Sequence, residues 1–342
     1  MHPSPIARFP LQRLALAAGL AAAALLTACG GGSEGSAGTS ATALSQSDAT
    51  AESADASATG ADTASALDTV IDTTALLAQA TASASATDRM HALSAGTPAA
   101  AVTNVTVDCA GGGTATLSIT GGTGASELDG QLDAGEHYSV TYAQCTGQAG
   151  YAQLNGGVTM DVTSADHSTS PASVAVDLTA TGLSLTLPAG TATLDGTASV
   201  SRSVVVSGGT TTTISHVTVP NATLATAFNG RSGSFTLTGL DATRTVASVA
   251  GVATASQYSG HHTLTGNANG RAISLSVSTT GNASYDANGA LVSGAWTVVR
   301  PRATIATTVA GGMVTITVDD GSDGTIDHTW TLPLASLAAA AG

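Results

Sequence analysis

The chain has 342 residues, of which only 9% are charged and 3% aromatic, and its formal net charge is −14. It contains no lysine, and its nine basic residues are all arginines. An acidic chain with scattered arginines lacks the basic patch that nucleic acid requires, and anionic lipid headgroups repel it. The dominance of small and β-branched residues favours many thin strands over a thick helical core.

Residues 1–28 read as an export signal. Arg8 and Arg13 supply the positive segment, and Leu14 to Leu26 form an apolar run of about a dozen residues. That run is shorter than the ~20 residues a spanning helix needs. It ends in Leu26-Thr27-Ala28-Cys29, followed by three glycines. This stretch resembles the lipobox of bacterial lipoproteins, whose cysteine is lipidated and becomes the first mature residue. An ordinary signal peptide with an incidental cysteine is the alternative. The resemblance implies lipidation at Cys29 and a membrane partner reached through that N-terminal lipid. Gly30 in place of Asp after the cysteine implies the outer membrane of a Gram-negative cell envelope.

Residues 29–101 are rich in Gly, Ala, Ser, Thr and Asp. Such a stretch buries too little surface to offset its ordering entropy, so it reads as a low-complexity, disordered tether. Within it, Leu67, Val70, Ile71 and Leu77 fall near one helical face, which predicts a short helix over 62–80 capped by Asp62 or Thr63. Such a helix either stays transient in the tether or docks on the folded region as a lid.

From residue 102 to 335 the hydrophobic period becomes two. Ala115/Leu117/Ile119, Tyr138/Val140/Tyr142, Val158/Met160/Val162, Val174/Val176/Leu178, Leu183/Leu185/Leu187, Ile273/Leu275/Val277 and Val314/Ile316/Val318 alternate with polar residues, mostly Ser and Thr. This predicts an all-β domain of 13 to 16 half-buried antiparallel strands, with turns at Gly208-Gly209, Asn288-Gly289 and Gly311-Gly312. A weak repeat, a large apolar residue, a small polar one and a glycine, recurs at 154, 194, 228, 258 and 292, with a degenerate copy at 128. It suggests duplicated hairpins in one meander. A sheet that wide with one apolar face curls into an open or closed barrel, or folds over as a sandwich.

Cys109 and Cys145 are the pair left once Cys29 is assigned to lipid, and an exported chain meets an oxidising compartment. A disulfide between them is expected; two free buried thiols are the alternative.

The most suggestive polar cluster holds Asp319, Asp320, Asp323 and Asp327 around Gly324. It resembles the calcium loops of EF-hand and dockerin-like repeats, which makes calcium the one candidate cofactor. Counted from Asp319, however, the third position is Gly321 and the twelfth Trp330, where a full site has an acid and a bidentate Glu. An acidic hairpin turn is the competing reading. His261 and His262 are adjacent, so on a strand they point to opposite faces. His328 shares parity with Trp330 and Leu332 and is expected in the core or at a rim. No nucleophile elbow, HExxH, P-loop or dinucleotide fingerprint occurs. The expectation is a non-catalytic structural or binding module of the cell envelope. A carrier of lipid or another apolar ligand in the curled sheet is the alternative, ahead of an envelope hydrolase. The residues name no protein partner or ligand.

Overall fold

The computed structural model describes residues 43–84, 101–109, 111–121, 131–146, 153–168, 170–187, 190–228, 231–268 and 271–340. A helix comes first, α1 (Gln46–Ala84). The strands follow: β1 (Ala101–Asp108), β2 (Thr114–Gly121), β3 (Glu136–Thr146), β4 (Gln153–Asp166), β5 (Ala172–Leu187), β6 (Gly190–Ser207) and β7 (Thr210–Phe228). Then come β8 (Arg231–Val249), β9 (Val252–Ala268), β10 (Arg271–Asp286), β11 (Leu291–Arg300), β12 (Ala303–Ala310), β13 (Met313–Asp320) and β14 (His328–Pro333). A short helix, α2 (Leu334–Ala340), ends the described chain.

All fourteen strands form one sheet in chain order, each antiparallel to the next. The expected meander is therefore present. It is an open sheet: β1 and β14 do not pair with each other. Alternation places the apolar set on one face. Leu117, Val140, Met160, Val200, Val217, Leu237, Ile305 and Ile316 are all buried there. Serines and threonines line much of the other face, and burial runs strictly in twos along β2 and β12.

The repeated glycines have a structural role inside the strands. Gly156, Gly196, Gly260 and Gly294 lie inside β4, β6, β9 and β11, not at turns; Gly230 and the copy at 128 fall outside the described residues. Register shifts recur beside them on six of the seven ladders between β3 and β10, the β7–β8 ladder being regular. They fall between Tyr142 and Cys145, Asn155 and Gly157, Ala180 and Leu183, Thr197 and Ser199, Thr238 and Asp241, and Ser278 and Ala283. Together they draw a line of bulges across the sheet from β3 to β10, and each bulge bends its strand and raises its twist. The glycines are needed because the backbones close up along this line. Gly156 has φ +97°, and a Cβ there would run into the carbonyl of Gly182. A Cβ at Gly260 would lie 2.8 Å from the Cβ of Ala242. The repeat thus encodes a crease that curls strands of up to 19 residues.

The crease curls the sheet round α1. The helix expected over 62–80 is present but runs from Gln46 to Ala84, so the stretch 46–61, read as tether, belongs to it. Its cap is Ser45 rather than Asp62 or Thr63. The Ser45 hydroxyl accepts the Asp48 N–H and donates to the Asp48 carboxylate at 2.6 Å. The extra turns escaped the periodicity because their buried apolar residues are alanines: Ala49, Ala51, Ala54 and Ala56 are all buried. Of the larger residues, Leu67 and Ile71 are buried and Val70 packs against them; the Leu77 side chain lies outside the described set. No described helix is long and apolar enough to cross a membrane.

Candidate functional site

Two places in the fold gather polar side chains: the seat of α1 on the concave face, and the convex face along the crease. The seat is best followed along the helix. Leu44, just before α1, donates its N–H to the Asp320 carboxylate at the end of β13. Ser53 bonds Thr307 of β12 and accepts the indole N–H of Trp296 of β11 on both its carbonyl and its hydroxyl, each at 3.0 Å. Arg300 of β11 donates to Glu52 at 2.8 Å. Gly60 faces Tyr258 and His262 of β9, and a Cβ there would strike the Tyr258 hydroxyl and stand 3.0 Å from the imidazole. Arg244 of β8 donates to Asp68 at 3.0 Å, and Thr74 bonds Tyr142 of β3. The helix therefore crosses the strands in reverse order, from β13 to β3, and polar contacts hold it at β13, β12, β11, β8 and β3.

These contacts sit in a partly to fully buried interface. Burial holds the Glu52 carboxyl above its ordinary pKa even though Arg300 lies against it. Burial lowers the His262 pKa to about 4, with a smaller push from His261, and raises the Tyr142 phenol to about 12. Neither ring nitrogen of His262, nor the second carboxylate oxygen of Glu52 or Asp68, has a hydrogen-bond partner among the described residues. An apolar gap beside the helix, walled by Leu67 and Val70 of α1 and by β4–β7, has a volume of only about 20 Å³. That is room for a single water and not for an acyl chain while α1 is seated.

On the convex face the crease opens a shallow hollow of about 370 Å³, lined by Asp241, Thr243, Ser259, His261, Ser278 and Thr279. Ser278, His261 and Asp241 stand in one cross-strand row. A Ser-His-Asp row is the residue set of acyl-transfer catalysis, but the bonds that define such a triad are not made. Among the described residues, no hydrogen bond joins His261 to either neighbour. The Asp241 carboxylate instead meets His216 of β7 at 2.9 Å. This row was invisible in the sequence, because its members come from three strands and sit 17 to 20 residues apart.

The sequence-derived candidates are distributed as follows. The Cys109–Cys145 disulfide is formed, with Cα atoms 5.4 Å apart, and ties the edge strand β1 across β2 to β3. Cys29 and the segment 1–28 lie outside the described residues. The four aspartates of the β13–β14 turn do not converge on a common point. Asp319 accepts the N–H groups of Asp323 and Gly324, Asp323 that of Thr325, and Asp327 that of Asp320. Each carboxylate is engaged in closing the turn or in seating α1. Among the described residues, no group of three or more His, Cys, Asp or Glu is placed to hold a metal ion. His261 is exposed and His262 buried, as their adjacency on a strand requires. His328 is half-buried at the rim and stacks on Trp330 with ring centroids 5.3 Å apart. Compared with family models, curated proteins and solved structures, the chain matches none.

Proposed function

We propose that this chain is a lipid-anchored, non-catalytic module of the bacterial cell envelope, held at the outer membrane through Cys29. The Leu-Thr-Ala-Cys box behind a dozen apolar residues supports the anchor. The observation that carries the non-catalytic, structural part is the seat of α1. The chain seats its own helix on its concave face, and a gap beside that helix holds only about 20 Å³, which supports the sheet as a self-contained body. Its exposed convex face is broad and rich in hydroxyl groups, suited to contact with other envelope components and not to enclosing a substrate.

The anchor is tested by Cys29→Ser in the producing cell. Several acyl chains hold a lipoprotein almost permanently, since each buried CH₂ contributes about 0.8 kcal/mol. Wild-type chain is expected in the membrane fraction, labelled by a clickable palmitate analogue. The variant is expected to carry no label and to lose membrane retention. Equal labelling and equal retention of the two would overturn the anchor.

A further inference from the structure

Antiparallel order puts alternate turns at opposite ends of the sheet. One rim holds the turns β6–β7, β8–β9, β10–β11 and β12–β13. Among the described residues, nine large hydrophobic side chains are exposed, and seven lie on or close to this rim: Val205, Val206, Ile214, Val249, Val252, Val292 and Met313. Five of them, Val206, Val249, Val252, Val292 and Met313, are between 42 and 53% exposed. The other two of the nine, Val299 and Ile326, lie toward the opposite rim, with Arg300, Arg302 and the aspartates of the β13–β14 turn.

Charge follows the same division. The segments 203–215 and 245–257, which form the β6–β7 and β8–β9 tips, contain no charged residue at all, in a chain of net charge −14. At the β10–β11 tip, Asp286 turns its carboxylate back onto the N–H groups of Asn288 and Ala290. Further along the rim the pattern ends: the loop before β3 and the β4–β5 turn carry an Asp133–His167 pair. The aliphatic stretch therefore spans β6 to β13.

We propose that this rim is a membrane-contact edge, on which the hairpin tips from β6 to β13 place their valines and Met313 in the interfacial layer of a lipid bilayer. Tips two strands apart are about 9.6 Å from one another, from the spacing of strands in a sheet. They form a row of separate points, which a fluid bilayer accommodates and a flat protein surface does not. The absence of charge at the central tips removes the repulsion that the rest of the chain has for anionic headgroups. The chain outside the fold has sufficient reach. Leu44 is seated against Asp320, at the rim opposite the tips. Fifteen residues run from Cys29 to Ala43, and at about 3.3 to 3.6 Å each they reach at most roughly 50 to 54 Å. The eight residues of β13 cover about 26 Å. A lipid on Cys29 and the aliphatic tips can therefore occupy one bilayer together. The orientation rests on the lipid-anchored reading; the affinity of the rim for lipid does not.

The test separates the two. The chain from residue 29 onward, which contains every described element, is prepared with Cys29→Ser so that it carries no acyl chain. It is floated with zwitterionic phosphatidylcholine vesicles. Part of it is expected to float, and the Val206→Asp/Val252→Asp double variant is expected to float at least about fivefold less. Ile326→Asp, on the opposite rim, is expected to float like the parent. Because the contact is apolar, binding is expected to persist from about 0.1 to about 0.5 M salt. Circular dichroism checks the fold of each chain, and Val206→Ser/Val252→Ser serves if the aspartates disturb it. No flotation of the parent, equal flotation of parent and double variant, or loss in high salt overturns the proposal. So does a parent that elutes as a dimer which the double variant breaks, since the tips would then face a second copy.

Discussion

His262 is the residue whose environment is most at odds with its chemistry. It sits on the concave face of β9 against Gly60, which it shares with Tyr258 of its own strand. Burial drops its pKa from 6.5 to about 4. Between those values the opened form binds a proton that the seated form refuses, so seating weakens as pH falls from about 6.5 to about 4. The full effect is about 3 kcal/mol. Glu52 acts in the opposite sense, because its raised pKa favours the seated form as pH falls. The two are separable by substitution. Thermal unfolding followed from pH 7 to pH 4 is expected to show a steeper loss in the wild-type chain than in His262→Leu. Equal slopes would show that the imidazole is not the group responsible. Sequence adjacency placed His261 and His262 on opposite faces, but it could not say which face would lie under a helix.

At the scale of the element, α1 is held by polar and small residues. Its alanines keep it close to the sheet, and its two ion pairs are partly buried. A buried pair adds little net stability, but removing one partner strands the other charge. Arg244→Met is expected to cost about 3 to 5 kcal/mol by leaving Asp68 unpaired in the interface. The double change Arg244→Met/Asp68→Leu should recover most of that loss. Hydrogen exchange of the 46–84 amides, with denaturant unfolding, measures both. The helix was legible where it carries Leu67, Val70 and Ile71. It was illegible over 46–61, because alanine, serine and threonine give no hydrophobic contrast. A stretch with the composition of a tether becomes a helix when a curled sheet offers partners such as Trp296, Arg300 and Thr307 along its length.

At the scale of the whole molecule, the open sheet has two free edges, and the Cys109–Cys145 bridge secures one of them. Its partners are 36 residues apart, and in the chain-entropy model closing such a loop contributes roughly 3 to 4 kcal/mol. The Cys109→Ser/Cys145→Ser chain is expected to unfold at correspondingly lower denaturant, with β1 and β2 exchanging amide protons before the central strands. Uniform exchange across the sheet would mean that the bridge does not guard this edge. The sequence by itself determined the alternating strands, the turns at Gly208-Gly209, Asn288-Gly289 and Gly311-Gly312, the all-β class and the meander. Each of these follows from contrast between residues close together in the chain. Only the tertiary structure decided that the repeated glycines form a crease, that α1 is seated on the concave face, and that exposed valines gather on one rim. Those features depend on register between strands and on which faces meet, and residues far apart in the chain fix them together.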